Sequence, residues 1–372
     1  MGVSTAYNLA KASDAKVEVI DRYGVGNEYC SSKDANRVFR YAYGGDRLYT
    51  QMAVESLKHW KQIERESGQE LLIQTGLLLL HGDDEKANGF NEASYKTLSQ
   101  MKLGAERLDE PELKKRFPQF RSDEAIIDSH GGVLLASKCL HTLQSLAEKR
   151  GVKFRTGQTR RIVHGKSPYV ETSNNEKAEF RKLIITAGAW SNSLLNGSQT
   201  RIRPTRQQLI YLQPSRIDNF RPRSCPVFFT DKHYGLPAAG IDAVKVSPKE
   251  LTLEVDPDTA NRSVDEEQIT ECRAACRKFV PELAEGNVVG TKVCLYDMTE
   301  NSDFVLDHDP DHSDLIYGYG FSGHGFKFAP MIGKLLAELA LDQKPSFDLE
   351  RFSAVPSRRV GSSHGSHLGK GE

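Results

Sequence analysis

Residues Gly318 to Lys334, GYGFSGHGFKFAPMIGK, constrain the fold more than any other stretch of this chain. A strand-like run, DLIYGYG, enters a turn with glycines at 320, 323 and 325, and a helix is predicted from about Pro330. Proline suits a first helical turn, where its missing N–H forfeits no hydrogen bond. Glycines in the turn let a ligand approach backbone N–H groups that a Cβ would screen, and the helix N-terminus behind them favours negative charge. The pattern therefore suits an anion or a flat ring, with Lys327 as a cation inside the turn. An ordinary strand-to-helix connection bearing a solvated lysine fits the same letters.

At the other end of the chain, GVSTAYNLAKA (2–12) reads as a helix and KVEVID as a buried strand ending at Asp21. In a dinucleotide-binding βαβ unit the third glycine opens such a helix, and an acid about 20 residues on holds the ribose hydroxyls. Gly2 and Asp21 fit those two places. No residues are present for the preceding strand or for the first two glycines, so the expectation is a chain truncated at its N-terminus. QMAVESLKHWKQIERES is an amphipathic helix with Met52, Leu57, Trp60 and Ile63 on its apolar side, and residues 84–128 are expected to be mostly helical. KLIITAGAWSNSLL (182–195) reads as a buried strand, a small-residue turn and a helix. Beyond Pro204, short alternating runs spaced by Pro, Gly and Asp predict an antiparallel sheet, followed by a helix with a Ser263–Glu266 capping box.

With 372 residues the chain is long for one core, so two domains are expected. Its 50 basic and 50 acidic residues cancel, which leaves no electrostatic footprint for nucleic acid or an anionic membrane surface. No apolar run approaches the roughly 18 residues of a membrane span. Cysteines at 30, 139, 225, 272, 276 and 294 form neither a disulfide framework nor a metal-ligand spacing, and no metal is expected. The polar segment 353–372 is expected to be a disordered tail. Its Ser366-His367-Leu368 resembles a peroxisomal address but is followed by four more residues, so the compartment is expected to be intracellular, cytoplasmic or peroxisomal.

KVCLYDMTENSDFVLDHDP followed by GYGFSGHGFKF resembles the monomeric sarcosine oxidase and pipecolate oxidase family of flavoenzymes, in the DAO superfamily. The resemblance implies an α/β fold: a discontinuous Rossmann-like FAD-binding domain (1–75, 131–200 and 295–352) lacking its first strand. An α+β substrate domain (76–130 and 201–294) built on an antiparallel sheet would complete it. It also implies FAD tethered through Cys294, Ser31 and Ser32 near its phosphates and Arg37 against its ring. Gly188 and Trp190 would form a second flavin-contacting turn, and Gly320, Gly323, His324, Gly325 and Lys327 would close over the flavin. Arg40 and Lys327 would clamp a substrate carboxylate, with Tyr234 and Tyr296 as pocket walls and Lys245 as a cation on the side where oxygen reacts. Where the family often has a histidine a few residues further on, this chain has Lys249. The implied activity is oxidation of secondary amino acids such as sarcosine or L-pipecolate, by hydride transfer to flavin and reduction of oxygen to peroxide, by a monomer. A fructosyl amino acid oxidase is the nearest alternative. An inactive truncated remnant unable to bind FAD is another.

Overall fold

The computed structural model describes residues 1–195, 200–249 and 253–359. In chain order, helix α1 (Gly2–Ala12), strands β1 (Glu18–Asp21) and β2 (Arg37–Phe39), and the long helix α2 (Arg47–Ser67) come first. They are followed by β3 (Leu72–Ile73), β4 (Leu77–Leu80), α3 (Glu85–Gln100), β5 (Ala105–Asp109), α4 (Glu110–Arg116) and β6 (Glu124–Asp128). The chain continues with β7 (Gly132–Leu134), α5 (Ala136–Glu148), β8 (Lys153–Thr156), β9 (Thr159–Val163), β10 (Tyr169–Thr172), β11 (Lys177–Glu179) and β12 (Leu183–Ile185). Next are β13 (Arg203–Gln213), β14 (Val227–Phe229), β15 (His233–Leu236), β16 (Val244–Pro248), α6 (Glu266–Phe279) and α7 (Pro281–Ala284). The last are β17 (Asn287–Met298), β18 (Val305–His308), β19 (Leu315–Tyr319) and α8 (Ala329–Ala340).

An eight-stranded sheet in the order β17-β13-β16-β15-β14-β4-β6-β5 divides the molecule. Because side chains alternate along a strand, its two faces carry different residues. Leu78, Leu80, Ile127, Ile210, Leu212 and Phe228 pack on one side against α6 and α7, through Cys272, Cys276, Phe279 and Leu283. Leu77, Leu79, Phe229 and Leu236 face the other way, into a core shared with α1, α2, α5 and α8. On that side two small parallel ladders, β1 with β8 and β12 with β19, lie at the ends of α1 and α8.

The described residues depart from the sequence expectations in four places. Segment 84–128 holds two strands as well as two helices, since β5 and β6 extend the large sheet instead of forming a helical wall. EAIID alternates only weakly because Ala125–Asp128 are all buried, which hides its period. Ser263 does not cap α6. The cap is Asp265, whose carboxylate is turned to the Arg206 guanidinium at 2.8 Å instead of to the helix N–H groups. Gly188–Leu194 forms a 3₁₀ turn where an α-helix was expected. Of the expected tail, residues 353–359 pack back on the fold, with Ala354 in a small core beside Tyr317 and Tyr319, while residues 360–372 lie outside those described.

The start of α2 is fastened to the C-terminal region by charge. Asp46 caps the helix by accepting from the Tyr49 N–H at 3.2 Å, and its other oxygen meets Arg351 at 2.8 Å. Arg351 also holds Asp303 through Nη2 at 2.7 Å and Nε at 3.0 Å. Removing the guanidinium strands two buried carboxylates. Arg351→Met is therefore expected to cost about 3–5 kcal/mol in urea unfolding, with Arg351→Lys recovering part of it. A loss under about 1 kcal/mol would show that the trio does not hold these segments together.

Candidate active site

Strand pairing gathers the distant residues of the site on one face of the large sheet. Cys294 is paired with Gln207 and Tyr296 with Thr205. Tyr211 and Leu236 are both paired with Lys245, and Tyr234 with Phe229 and Ser247. Residues directly opposite in an antiparallel ladder point the same way. One apolar-side surface therefore presents Tyr296, Cys294, Lys245, Tyr234 and Phe229 to the segment 30–43.

That segment meets the sheet through a carboxylate that the motif reading did not single out. Asp34 is 5% exposed, and its Oδ2 takes the Lys245 ammonium at 2.9 Å and an ion pair from Arg37. Its Oδ1 accepts from the Tyr211 hydroxyl and from the Ala35 N–H at 2.7 Å. Burial, followed by Arg37, drives the Lys245 ammonium well below its ordinary value. Asp34 opposes that loss, assisted by the Asn36 carbonyl, which accepts from Lys245 at 2.5 Å. Arg37 also donates to the Ser31 carbonyl at 2.6 Å and lies 3.6 Å from the Cys294 sulfur. The one signal for Asp34 was an acid three residues before Arg37 in a basic run, SSKDANR.

Three residues further on, Arg40 belongs to a second charged group. It is 2% exposed, with its guanidinium 4.2 Å above the Tyr43 ring and 5.2 Å from the Phe229 ring. Lys327, 4% exposed, donates to the Tyr43 hydroxyl at 2.9 Å and to the His324 carbonyl at 2.7 Å. Burial and then Arg40 hold the Lys327 ammonium well below its usual range. An anion placed between these two cations would reverse that penalty. Tyr43, which joins them, was not singled out in the sequence.

Behind these groups lies a cavity of about 1320 Å³. Its lining includes Gly2 and Asp21 from α1 and β1, Ser31, Ser32 and Arg37 from the following segment, and Gly188 and Trp190 after β12. Tyr296 of β17 and Gly323 and Gly325 of the C-terminal turn complete it. Gly188 and Gly323 have φ of +55° and +77°, conformations that favour glycine, and a Cβ on Gly323 would fall 2.2 Å from the Tyr296 ring. A strand ending in an acid, a glycine at a helix start and open glycine turns fit an extended dinucleotide. Cys294, Tyr234, Lys245, Arg40 and Lys327 stand outside this lining, on the sheet face and the buried charged groups next to it.

Two expected flavin-contacting residues are turned elsewhere. His324 is 3% exposed, with Nδ1 3.3 Å from the Tyr43 hydroxyl and Nε2 3.1 Å from the Ser302 carbonyl. Its ring packs on Phe304 and Tyr49, so it buttresses the turn from below. Gly320 donates its N–H to Asp297 Oδ2 at 2.8 Å, which anchors the turn to β17. Neither residue lines the cavity.

The family model for FAD dependent oxidoreductases, DAO, matches residues 1–339. The chain is 31% identical over 367 residues to monomeric sarcosine oxidase of Bacillus sp. strain B-0618, covering 95% of this chain and 93% of that protein. It is 32% identical over 366 residues to the peroxisomal sarcosine oxidase of Mus musculus, covering 94% and 92%. Among solved structures, the iminodiacetate oxidase IdaA of Chelativorans sp. BNC1 matches with a TM-score of 0.80 at 22% identity, over 95% of this chain and 96% of that one, which shows a shared fold.

Burial raises the Asp297 carboxyl to about 6, so the folded chain holds its proton more tightly than the unfolded chain does. The contribution is intact below about pH 4 and is lost as pH rises through 6, at a cost on the order of 2–3 kcal/mol. Urea midpoints of Asp297→Asn relative to the parent protein should therefore climb between pH 4 and pH 7. A flat difference across that range would contradict the raised value.

Proposed function

The chain belongs to the DAO family of FAD-dependent oxidoreductases, enzymes acting on CH–NH donors with oxygen as acceptor, and from that premise we propose that it oxidises secondary amino acids of the sarcosine or pipecolate type. The observation that carries this reading is the pair Arg40 and Lys327, two buried cations that both contact the Tyr43 side chain. A guanidinium fork and an ammonium together clamp a carboxylate, and their fixed positions orient the carbon beside the amine. Holding that orientation is the main catalytic contribution, since a neutral amine needs no acid or base at carbon. Tyr234 and Tyr296, on the facing sheet, wall the substrate and exclude water.

FAD, when bound, supplies the hydride acceptor and the path of electrons to oxygen. Gly2 and Asp21 would hold its ribose and phosphate end, with Ser31 and Ser32 nearby, Gly188 and Trp190 at the second turn, and Gly323 and Gly325 at the ring. Gly320 and His324 act through the shape of that turn. The Cys294 sulfur, 3.6 Å from Arg37 Nη2, would carry a covalent link to the flavin. Lys245 remains the proposed cation on the oxygen side. Arg37 and Lys245 share a single carboxylate, Asp34, so the trio keeps a net positive charge that would stabilise negative charge developing on oxygen. The division into FAD-binding segments 1–75, 131–200 and 295–352 and substrate-binding segments 76–130 and 201–294 is part of the same proposal, as is a monomeric enzyme.

The flavin-loaded protein is expected to release peroxide with at least one member of a panel of N-alkyl and cyclic secondary amino acids. Its yellow colour should stay with the acid-precipitated chain and become extractable in Cys294→Ser. Peroxide from no member of the panel would overturn the activity, and colour soluble in acid from the parent protein would overturn the covalent link.

A further inference from the structure

A second recess, of about 570 Å³, lies between the three-stranded ribbon of β9, β10 and β11 and the loop that joins β18 to β19. Its lining includes His164, which follows β9, and His312 and Asp314, which precede β19. The two imidazoles stack face to face, with centroids 3.7 Å apart and planes 4° from parallel. One ligand atom from each histidine and one from Asp314 all lie within 4.8 Å of one another. Both ring nitrogens of His164 are shut off from solvent, and neither has a hydrogen-bond partner among the described residues. A neutral imidazole carries a single N–H, so one of those nitrogens is a bare lone pair. Buried polar atoms left in this state mark a place where a water or an ion belongs.

The loop holds its two contributors in position. Asp309 Oδ1 accepts the Asp311 and His312 N–H groups at 2.9 and 2.8 Å, and Lys182 donates to the Ser313 carbonyl at 3.2 Å. On the ribbon side, Ile162 of β9 packs in the same small core as Tyr317 of β19. The comparable group His81, Glu92 and Glu124 has no such capacity to spare, because Arg107 takes Glu92 at 2.7 Å and also pairs with Glu124. Lys166 and Arg181 line the recess and oppose a cation, but both are exposed and screened by water, and Glu179, also in the lining, offsets one of them.

We propose that His164, His312 and Asp314 bind one divalent transition-metal ion of the zinc type, with water as fourth ligand, and that the ion clips the β9–β11 ribbon to the start of β19. Two imidazoles and a carboxylate are a borderline donor set that zinc accepts at about 2.0–2.2 Å. Lone pairs in parallel planes do not meet at one point, so coordination tilts the two rings out of their stack and draws the three ligand atoms together. The site is separate from the flavin cavity and independent of the amine-oxidase reading.

The test titrates ZnCl₂ into the untagged, flavin-loaded full chain after dialysis against a chelator, by calorimetry. One equivalent is expected to bind with Kd of about 10 μM or tighter, and His164→Ala and His312→Ala each to weaken it at least about 100-fold, Asp314→Asn about 10-fold. Zinc at about 100-fold over Kd should raise the thermal midpoint of the parent protein by at least about 2 °C and leave both histidine variants unmoved. The metal-free melting of those variants shows that they are folded, and zinc K-edge absorption of the one-equivalent parent complex should carry imidazole scattering. His81→Ala, in the other group, should bind zinc like the parent. Binding no tighter than about 1 mM, or zinc held equally by His164→Ala and His312→Ala, would overturn the site.

Discussion

Cations held out of water on one face of a sheet are the constraint around which this molecule is arranged. Each buried ammonium or guanidinium costs several kcal/mol unless charge or dipole meets it. The fold answers in two ways. Lys245 and Arg37 share Asp34, so their charge is largely internal to the protein. Arg40 and Lys327 meet the Tyr43 side chain and backbone carbonyls, with the buried Asp128 acting on Arg40 at longer range. The first group suits a structural and electrostatic role, and the second suits an incoming anion.

Geometry of this kind depends on strand register. Tyr296, Cys294, Lys245, Tyr234 and Phe229 come from four strands spread over about seventy positions, and only pairing residue for residue brings them to one face. A one-residue slip of β16 would turn Lys245 and Ser247 toward α6 and α7, burying an ammonium in an apolar layer. Around β16 that face is apolar through Leu78, Ile210, Leu212, Phe228, Val244 and Val246, which makes that slip costly. Function and folding thus depend on the same alternation.

Much of the local architecture was legible in the letters. The helices at 2–12 and 47–67, the β-rich texture past Pro204 and the glycine turn before α8 each follow from a short-range pattern, and short-range patterns survive in a single sequence. Arg37, Arg40, Cys294 and Lys327 were singled out because each sits in a distinctive motif. Asp34, Asp128 and Tyr43 were not, because what distinguishes them is the company they keep in space. Asp34 meets Lys245 across 211 positions, and Tyr43 meets Lys327 across 284. Strands β5 and β6 were missed for a related reason: one is largely exposed and the other buried on both faces from Ala125 to Asp128, so neither shows clean alternation. His324, a conspicuous motif residue, packs on Phe304 and Tyr49 and lies outside the cavity lining, a placement that its motif does not reveal.

The central claim is that the buried charge around Tyr43 selects a carboxylate. It is tested most directly by titrating the oxidised, flavin-loaded protein with furan-2-carboxylate and, separately, with its methyl ester, following the flavin absorbance. The acid should give a saturable perturbation at concentrations at least about 10-fold below any response to the neutral ester, as expected for desolvated charge-assisted hydrogen bonds. Equal affinity for acid and ester would mean that the cations do not meet the ligand's charge, and would contradict the account.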